Sequence, residues 1–178
     1  NHLVRELTGH GADVFGLVRD VAEEPVPGDV TVHEGDVCDY DAVRAAVGAV
    51  RPDHIVHLAG ASSVGRSFAD PVGTWAVNLT GTLTVLEAVR AATWPVRLLA
   101  VTSGEAYGSV PLDELPVTER TLLTPLSPYA SSKAAADLAA GQYQASYDLD
   151  IMRVRAFNHV GPGQDGRFVI PSVARQLA

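Results

Sequence analysis

Ser127-Pro128-Tyr129-Ala130-Ser131-Ser132-Lys133 opens an alanine-rich run near the end of the 178-residue chain. Ser127 suits a helix N-cap, and Pro128 suits the first helical position, where its missing N–H costs nothing. Ala134, Ala135, Ala136, Leu138, Ala139 and Ala140 carry the helix onward, so Tyr129 and Lys133 share one face a turn apart. A phenol of ordinary pKa, about 10, exchanges protons poorly at neutral pH, and a nearby ammonium stabilises its phenolate. At this spacing Tyr129 is a candidate acid/base for a carbonyl or alcohol oxygen. Tyrosine and lysine four apart also arise on solvated helix faces. The pair therefore takes its meaning from the rest of the chain.

Upstream of the helix lies the proline-bearing loop 104–127, and before that the apolar strand Val96-Arg97-Leu98-Leu99-Ala100-Val101-Thr102-Ser103. Further back, a long helix is expected after Pro71, through Ala76, Leu79, Leu83, Leu86 and Val89. Asp53 to Gly60 has the continuous apolar character of a buried parallel strand. A helix over 41–50 follows strands over 13–18 and 30–34, and the chain opens in helical spacing at His2 to Leu7. Downstream, Asp150 to Arg155 is the last strand. Strands alternating with helices predict an α/β fold with a parallel sheet covered on both faces. Ligands of such sheets sit beyond the carboxyl ends of the strands. The polar clusters fall there: Arg19, Asp36, Ala59 to Ser63, Ser103 to Glu105, and Asn158 to Gln164.

The chain is 47% hydrophobic, enough for a sizeable core in one domain. Its formal net charge of -8 gives no basic footprint for nucleic acid. No run of about 18 apolar residues suggests a membrane span. A cytoplasmic protein is the expectation. Cys38, the single cysteine, excludes an internal disulfide, and no His/Cys cluster surrounds it to suggest a metal site.

Tyr129/Lys133, Gly35-Asp36-Val37-Cys38-Asp39, His57-Leu58-Ala59-Gly60-Ala61-Ser62, Asn78-Leu79-Thr80-Gly81-Thr82 and Ser103-Gly104-Glu105-Ala106-Tyr107-Gly108 occur in one order along the chain. Together they resemble the extended short-chain dehydrogenase/reductases, the nucleotide-sugar epimerases, dehydratases and reductases. The resemblance implies a Rossmann-like doubly wound parallel sheet. Residues 1–178 would form a partial NAD(P)-binding domain, a fragment of a longer enzyme, with the substrate lobe starting near 158–178. The family's glycine-rich phosphate loop has no counterpart: Gly9, Gly11 and Gly16 follow the first helix instead of preceding it. Most of the substrate lobe is expected beyond Ala178.

The resemblance also implies roles. Asp36 would accept from the adenine amino group with Val37 against the ring, and the alternative for Asp36 is a helix N-cap. Leu58, Ala59 and Gly60 would pass under the cofactor, although Gly60 also suits a plain turn. Ser62 would touch substrate phosphates or sugar, unless it only caps a loop. Asn78 would be a polar group near the cofactor, or a solvated helix residue. Ser103 would bond the sugar C4 oxygen beside Tyr129, while Lys133 binds the nicotinamide ribose. Phe157, His159 and Val160 would meet the nicotinamide, and Asn158 the substrate.

Arg155 to Gln164, followed by Phe168-Val169-Ile170-Pro171, is most similar to the reductases that make GDP-rhamnose from GDP-4-keto-6-deoxymannose. GDP-mannose 4,6-dehydratases are their close relatives and the alternative activity. A silent member that only binds nucleotide or a partner is the alternative of another class. Reductase chemistry is favoured because Gly104 stands where related dehydratases carry a proton-donating side chain; Glu105 remains as a possible base. Val18-Arg19 ends the strand where NAD enzymes place an acid, which favours NADP(H), with NAD(H) possible through Asp20. A homodimer is implied, with Leu79/Leu83/Leu86 and Ala135/Leu138/Tyr143 meeting in a four-helix bundle.

Overall fold

The computed structural model describes residues 2–22, 30–166 and 168–177. The elements run α1 (His2–Gly9), β1 (Phe15–Val18), β2 (Thr31–Glu34), α2 (Tyr40–Val50), β3 (His54–His57), α3 (Val64–Ala69) and α4 (Pro71–Trp75). A π-helical turn (Ala76–Thr80) leads into α5 (Gly81–Ala91), followed by β4 (Arg97–Val101), α6 (Pro128–Tyr147), β5 (Asp150–Val154) and α7 (Val169–Leu177).

Every strand pair is parallel, as the βαβ alternation predicts. β1 lies against β2, and β3, β4 and β5 form a second sheet with β4 central. The parallel strands fall in two sheets, because β1 and β3 share no ladder. In the doubly wound order the first strand lies between the second and the fourth. Those are the places β1 and β3 take under the resemblance. The two sheets are joined through helices instead: α2 packs on α5, Val37 packs on the core, and Thr84 Oγ1 donates to Val37 O.

The core lies between the three-stranded sheet and α5. Leu86 and Leu98 are fully buried there, with Val85, Val89, Ala100 and Ile151 around them. Truncating either leucine to alanine costs about 2–5 kcal/mol.

Local sequence explains where the helices start. Ser127 Oγ accepts from Ala130 N at 3.0 Å, Pro128 takes the first turn, and α6 ends at Asp148 in the left-handed region. Asp70 Oδ1 accepts from Gly73 N at 2.9 Å to begin α4. The continuous helix expected after Pro71 is interrupted by the π-helical turn, and α3, capped by Ser63, is an element the sequence reading did not contain. β3 ends at His57, earlier than the expected Gly60, because the following residues turn to bond Asn78. Loop 104–127 holds 3₁₀ turns at Gly104–Tyr107 and Leu112–Glu114. Tyr107 OH donates to Thr118 O at 3.0 Å and Thr124 Oγ1 to Tyr107 O at 2.7 Å, which ties the loop to itself. α7 lies where the substrate lobe was expected to start and buries no residue.

Candidate active site

Parallel pairing puts the carboxyl ends of the strands of each sheet on one edge, and the polar residues singled out in the sequence follow those ends. Arg19 follows β1 and is exposed, while neighbouring Asp20 accepts from Ala22 N at 2.8 Å in a turn. Asp36 follows β2. Its carboxylate is exposed and accepts from Cys38 N at 2.8 Å, whereas the α2 cap is Asp39, which accepts from Asp41 N and Ala42 N. The capping alternative for Asp36 is thus corrected: a cap needs its oxygen over the first turn, and Asp39 holds that place.

The loop after β3 is fixed from below. Asn78, 1% exposed, accepts from Ala61 N at 2.8 Å and donates to Ala61 O at 3.2 Å and to Ser132 Oγ at 2.9 Å. Its amide is spent inside the protein, so the expected direct contact with a cofactor is replaced by support of the Leu58–Ala61 loop. Asn78 lies within the π-helical turn Ala76–Thr80, so the irregular turn carries the side chain that makes these bonds. Leu58, Ala59, Gly60 and Ser62 stay exposed above it.

Lys133 comes to the same point from α6. Its Nζ donates to Val101 O at 3.2 Å, and burial pushes its pKa down. A Cβ on Gly60 would lie 2.9 Å from Asn78 Oδ1 and 3.1 Å from Lys133 Nζ. Only a residue without a side chain fits over that pair. Ser103, buried after β4, accepts from Glu105 N at 3.2 Å. Tyr129 stands one turn before Lys133, half-buried. Glu105 and Asn158 line a small cavity of about 190 Å³ together with Gly104, Gly108, Ala156 and Phe157. Phe157, Asn158, His159 and Val160 are exposed, and His159 Nδ1 lies 2.9 Å from Phe157 O.

The sequence reading missed two groups. His57, buried at the end of β3, sits 3.0 Å from Thr82 Oγ1, which itself donates to Asn78 O at 2.7 Å. With its single hydrogen committed, Thr82 must accept from His57 Nε2–H. Burial, and then the Lys133 charge, lowers the His57 pKa to about 4. The other group is Asp137, fully buried on α6 against Arg153 and Arg155. Its spacing of four from Lys133 is the one signal the sequence held.

The residues fit a nicotinamide nucleotide. Val101 O takes one of the three Lys133 donors, which leaves two for ribose hydroxyls, and Gly60 keeps the ground above the lysine clear of side chain. Such a cofactor supplies hydride transfer. Among the described residues no cluster of His, Cys, Asp and Glu could hold a metal.

A parallel α/β fold with a Tyr–Lys helix beside a strand-end serine defines an extended short-chain dehydrogenase/reductase, the class of the nucleotide-sugar enzymes. A family model described as GDP-mannose 4,6 dehydratase matches residues 1–178, and the chain belongs to that family. It is 42% identical over 127 residues to GDP-6-deoxy-D-mannose reductase of Pseudomonas aeruginosa, covering 71% of this chain and 42% of that one. A solved structure of RMD from Pseudomonas aeruginosa complexed with NADPH superposes with a TM-score of 0.76 at 31% identity, over 92% of this chain and 61% of the other. UDP-glucose 4-epimerase of Thermus thermophilus in complex with NAD gives 0.87 at 36% identity, over 98% and 56%. The chain thus spans less than two thirds of each of these proteins.

Proposed function

We propose that the whole enzyme reduces the C4 ketone of a 4-keto-6-deoxy sugar nucleotide, GDP-4-keto-6-deoxymannose to GDP-rhamnose, with NADPH. The observation that carries this is the Lys133 ammonium, one turn after Tyr129, held beneath Gly60 by Val101 O at the end of β4, two residues before Ser103. Ser103 would hold the ketone oxygen, Tyr129 would give that oxygen its proton, and Lys133 would bind the ribose of a reduced nicotinamide that supplies hydride for C4, while stabilising the phenolate left on Tyr129. The products are the alcohol and the oxidised cofactor. Asp36 and Val37 hold the adenine, Leu58 to Gly60 and Phe157 to Val160 flank the dinucleotide, and Ser62, Glu105 and Asn158 contact the sugar nucleotide.

Reduction is favoured over dehydration by what stands after Ser103. A dehydratase needs a proton donor for the departing C6 hydroxyl, and Gly104 offers none. The Phe157 ring takes the space a side chain would need, since a Cβ on Gly104 would lie 2.9 Å from Phe157 Cδ1. Glu105, exposed next to this point, supports the second reading, GDP-mannose 4,6-dehydratase, which the family description also fits.

NADP(H) is favoured by Arg19, an exposed cation where a 2′-phosphate would arrive, with Asp20 engaged in its own turn. The whole enzyme given the keto sugar nucleotide is expected to oxidise NADPH faster than NADH, and Arg19→Ala to erase the difference. Accumulation of a 4-keto-6-deoxy product from GDP-mannose and oxidised cofactor would overturn the reductase reading. Failure of hydride transfer with either substrate would leave the binding-only alternative standing.

A further inference from the structure

Asp137 stands one turn beyond Lys133 on α6, where a charged group has no solvent: its side chain is 0% exposed. Both oxygens are occupied. Oδ1 accepts from Arg155 Nε at 3.1 Å, and Thr102 Oγ1 lies 3.4 Å away, sharing its single hydrogen between this oxygen and the nearer Val154 O at 3.1 Å. Oδ2 accepts from Arg155 Nη2 at 2.7 Å and Arg153 Nη1 at 3.0 Å. One buried carboxylate thus answers two guanidiniums, in a fork geometry that only arginine provides.

The partners matter more than the pair. Thr102 precedes Ser103 and is joined to β5 through Thr102 N→Val154 O at 2.7 Å. Arg155 lies two residues before Phe157 and also donates to Tyr107 OH and Glu119 O, each at 3.1 Å. The Tyr107 ring stacks on Phe157 with centroids 6.0 Å apart. Three segments that carry the proposed chemistry converge on this carboxylate: the Tyr129–Lys133 helix, the end of β4 at Ser103, and the exit of β5 at Phe157 to Val160. No part of Asp137 reaches the exposed edge.

We infer that Asp137 is a positioning residue. Resting on the reading above, it fixes the separation of Tyr129 from Ser103 and the place of the Phe157–Val160 backbone toward the nicotinamide. A fold needing only stability at this point is served as well by packed apolar side chains as by a buried ion pair. The charge cluster adds direction, because its bonds hold three segments at fixed angles.

The test compares variants of the whole enzyme. Asp137→Asn keeps the shape and removes the charge. Its turnover is expected to fall roughly 10²-fold, the cost of misplacing reacting groups by about 1 Å, with KM for the sugar nucleotide little changed. Binding of reduced cofactor alone, followed by its fluorescence, is expected to weaken as well. Arg155→Lys, which retains a cation but not the fork, is expected to lose turnover in the same direction and serves if Asp137→Asn does not fold. Val43→Ala, a buried site on α2 apart from the cluster, provides the comparison: it lowers the melting temperature and leaves turnover near wild type. Asp137→Asn or Arg155→Lys turning over like Val43→Ala would overturn the inference. Tyr129→Phe, run alongside, tests the underlying reading separately, since wild-type turnover there defeats the proton-donor role whatever Asp137 does.

Discussion

His57 shows how much a single buried side chain can hold. Its Nε2–H is committed to Thr82, and a second positive charge on it would face Lys133. Folding therefore keeps it neutral, with a pKa lowered to about 4. The unfolded chain takes up a proton below about pH 6.5, and the native protein does not until about pH 4, so stability falls as pH drops through that window. The full effect is about 3 kcal/mol, and about 2 kcal/mol of it is lost between pH 7 and pH 5. Denaturant unfolding of wild type and His57→Gln measures it: the wild type is expected to lose more stability over that interval by this amount. Equal losses in the two proteins would contradict the assignment.

Among the helices, α5 and α6 pack on each other within one chain, as a bundle of two helices from each protomer requires, and burial withdraws Leu86 from the expected contact. Leu86 belongs to the subunit core at 0% exposed, Leu83 packs against that core, and Tyr143 OH donates to Glu87 Oε1 at 2.5 Å. Of the two apolar stripes read from the sequence, Leu138 remains exposed at 63%. Exposed Phe68, Val72 and Trp75 lie on α3 and α4, which both pack on α6. We propose that the exposed apolar side chains of α3, α4 and α6 contribute to the homodimer surface, since exposed apolar groups gathered on neighbouring helices suit an interaction site. Sedimentation of the whole enzyme at micromolar concentration is expected to give a dimer, and Leu138→Glu a monomer. A monomeric wild type would defeat the proposal.

Across the molecule, what the sequence disclosed and what it withheld divide by distance along the chain. Ser127, Pro128 and the alanines act within a few residues of one another, so α6 and its Tyr129/Lys133 face were legible. The ends of β1 and β2 were legible too, because apolar runs stop where polar residues begin, whereas β3 and β4 stop at His57 and Val101, short of the expected Gly60 and Ser103. Contacts between distant segments were not. Asn78 bonds Ser132 from 54 positions away, and Asp137 meets Arg155 from 18; neither residue type announces its partner. The same limit hid the split between the sheets, since a run of strand residues does not name its neighbour. No helix among the described residues is long and apolar enough to cross a membrane, in line with the even spread of apolar residues.

The reaction proposed for the site turns on Tyr129 moving the proton when hydride is transferred. Turnover and reduced-cofactor binding by Tyr129→Phe in the whole enzyme test it most directly. The variant retains the ring and loses the hydroxyl, so turnover is expected to fall by at least about 10²-fold, within the range of general acid–base catalysis, while cofactor binding stays near wild type. Wild-type turnover with the hydroxyl gone would show that another group moves the proton.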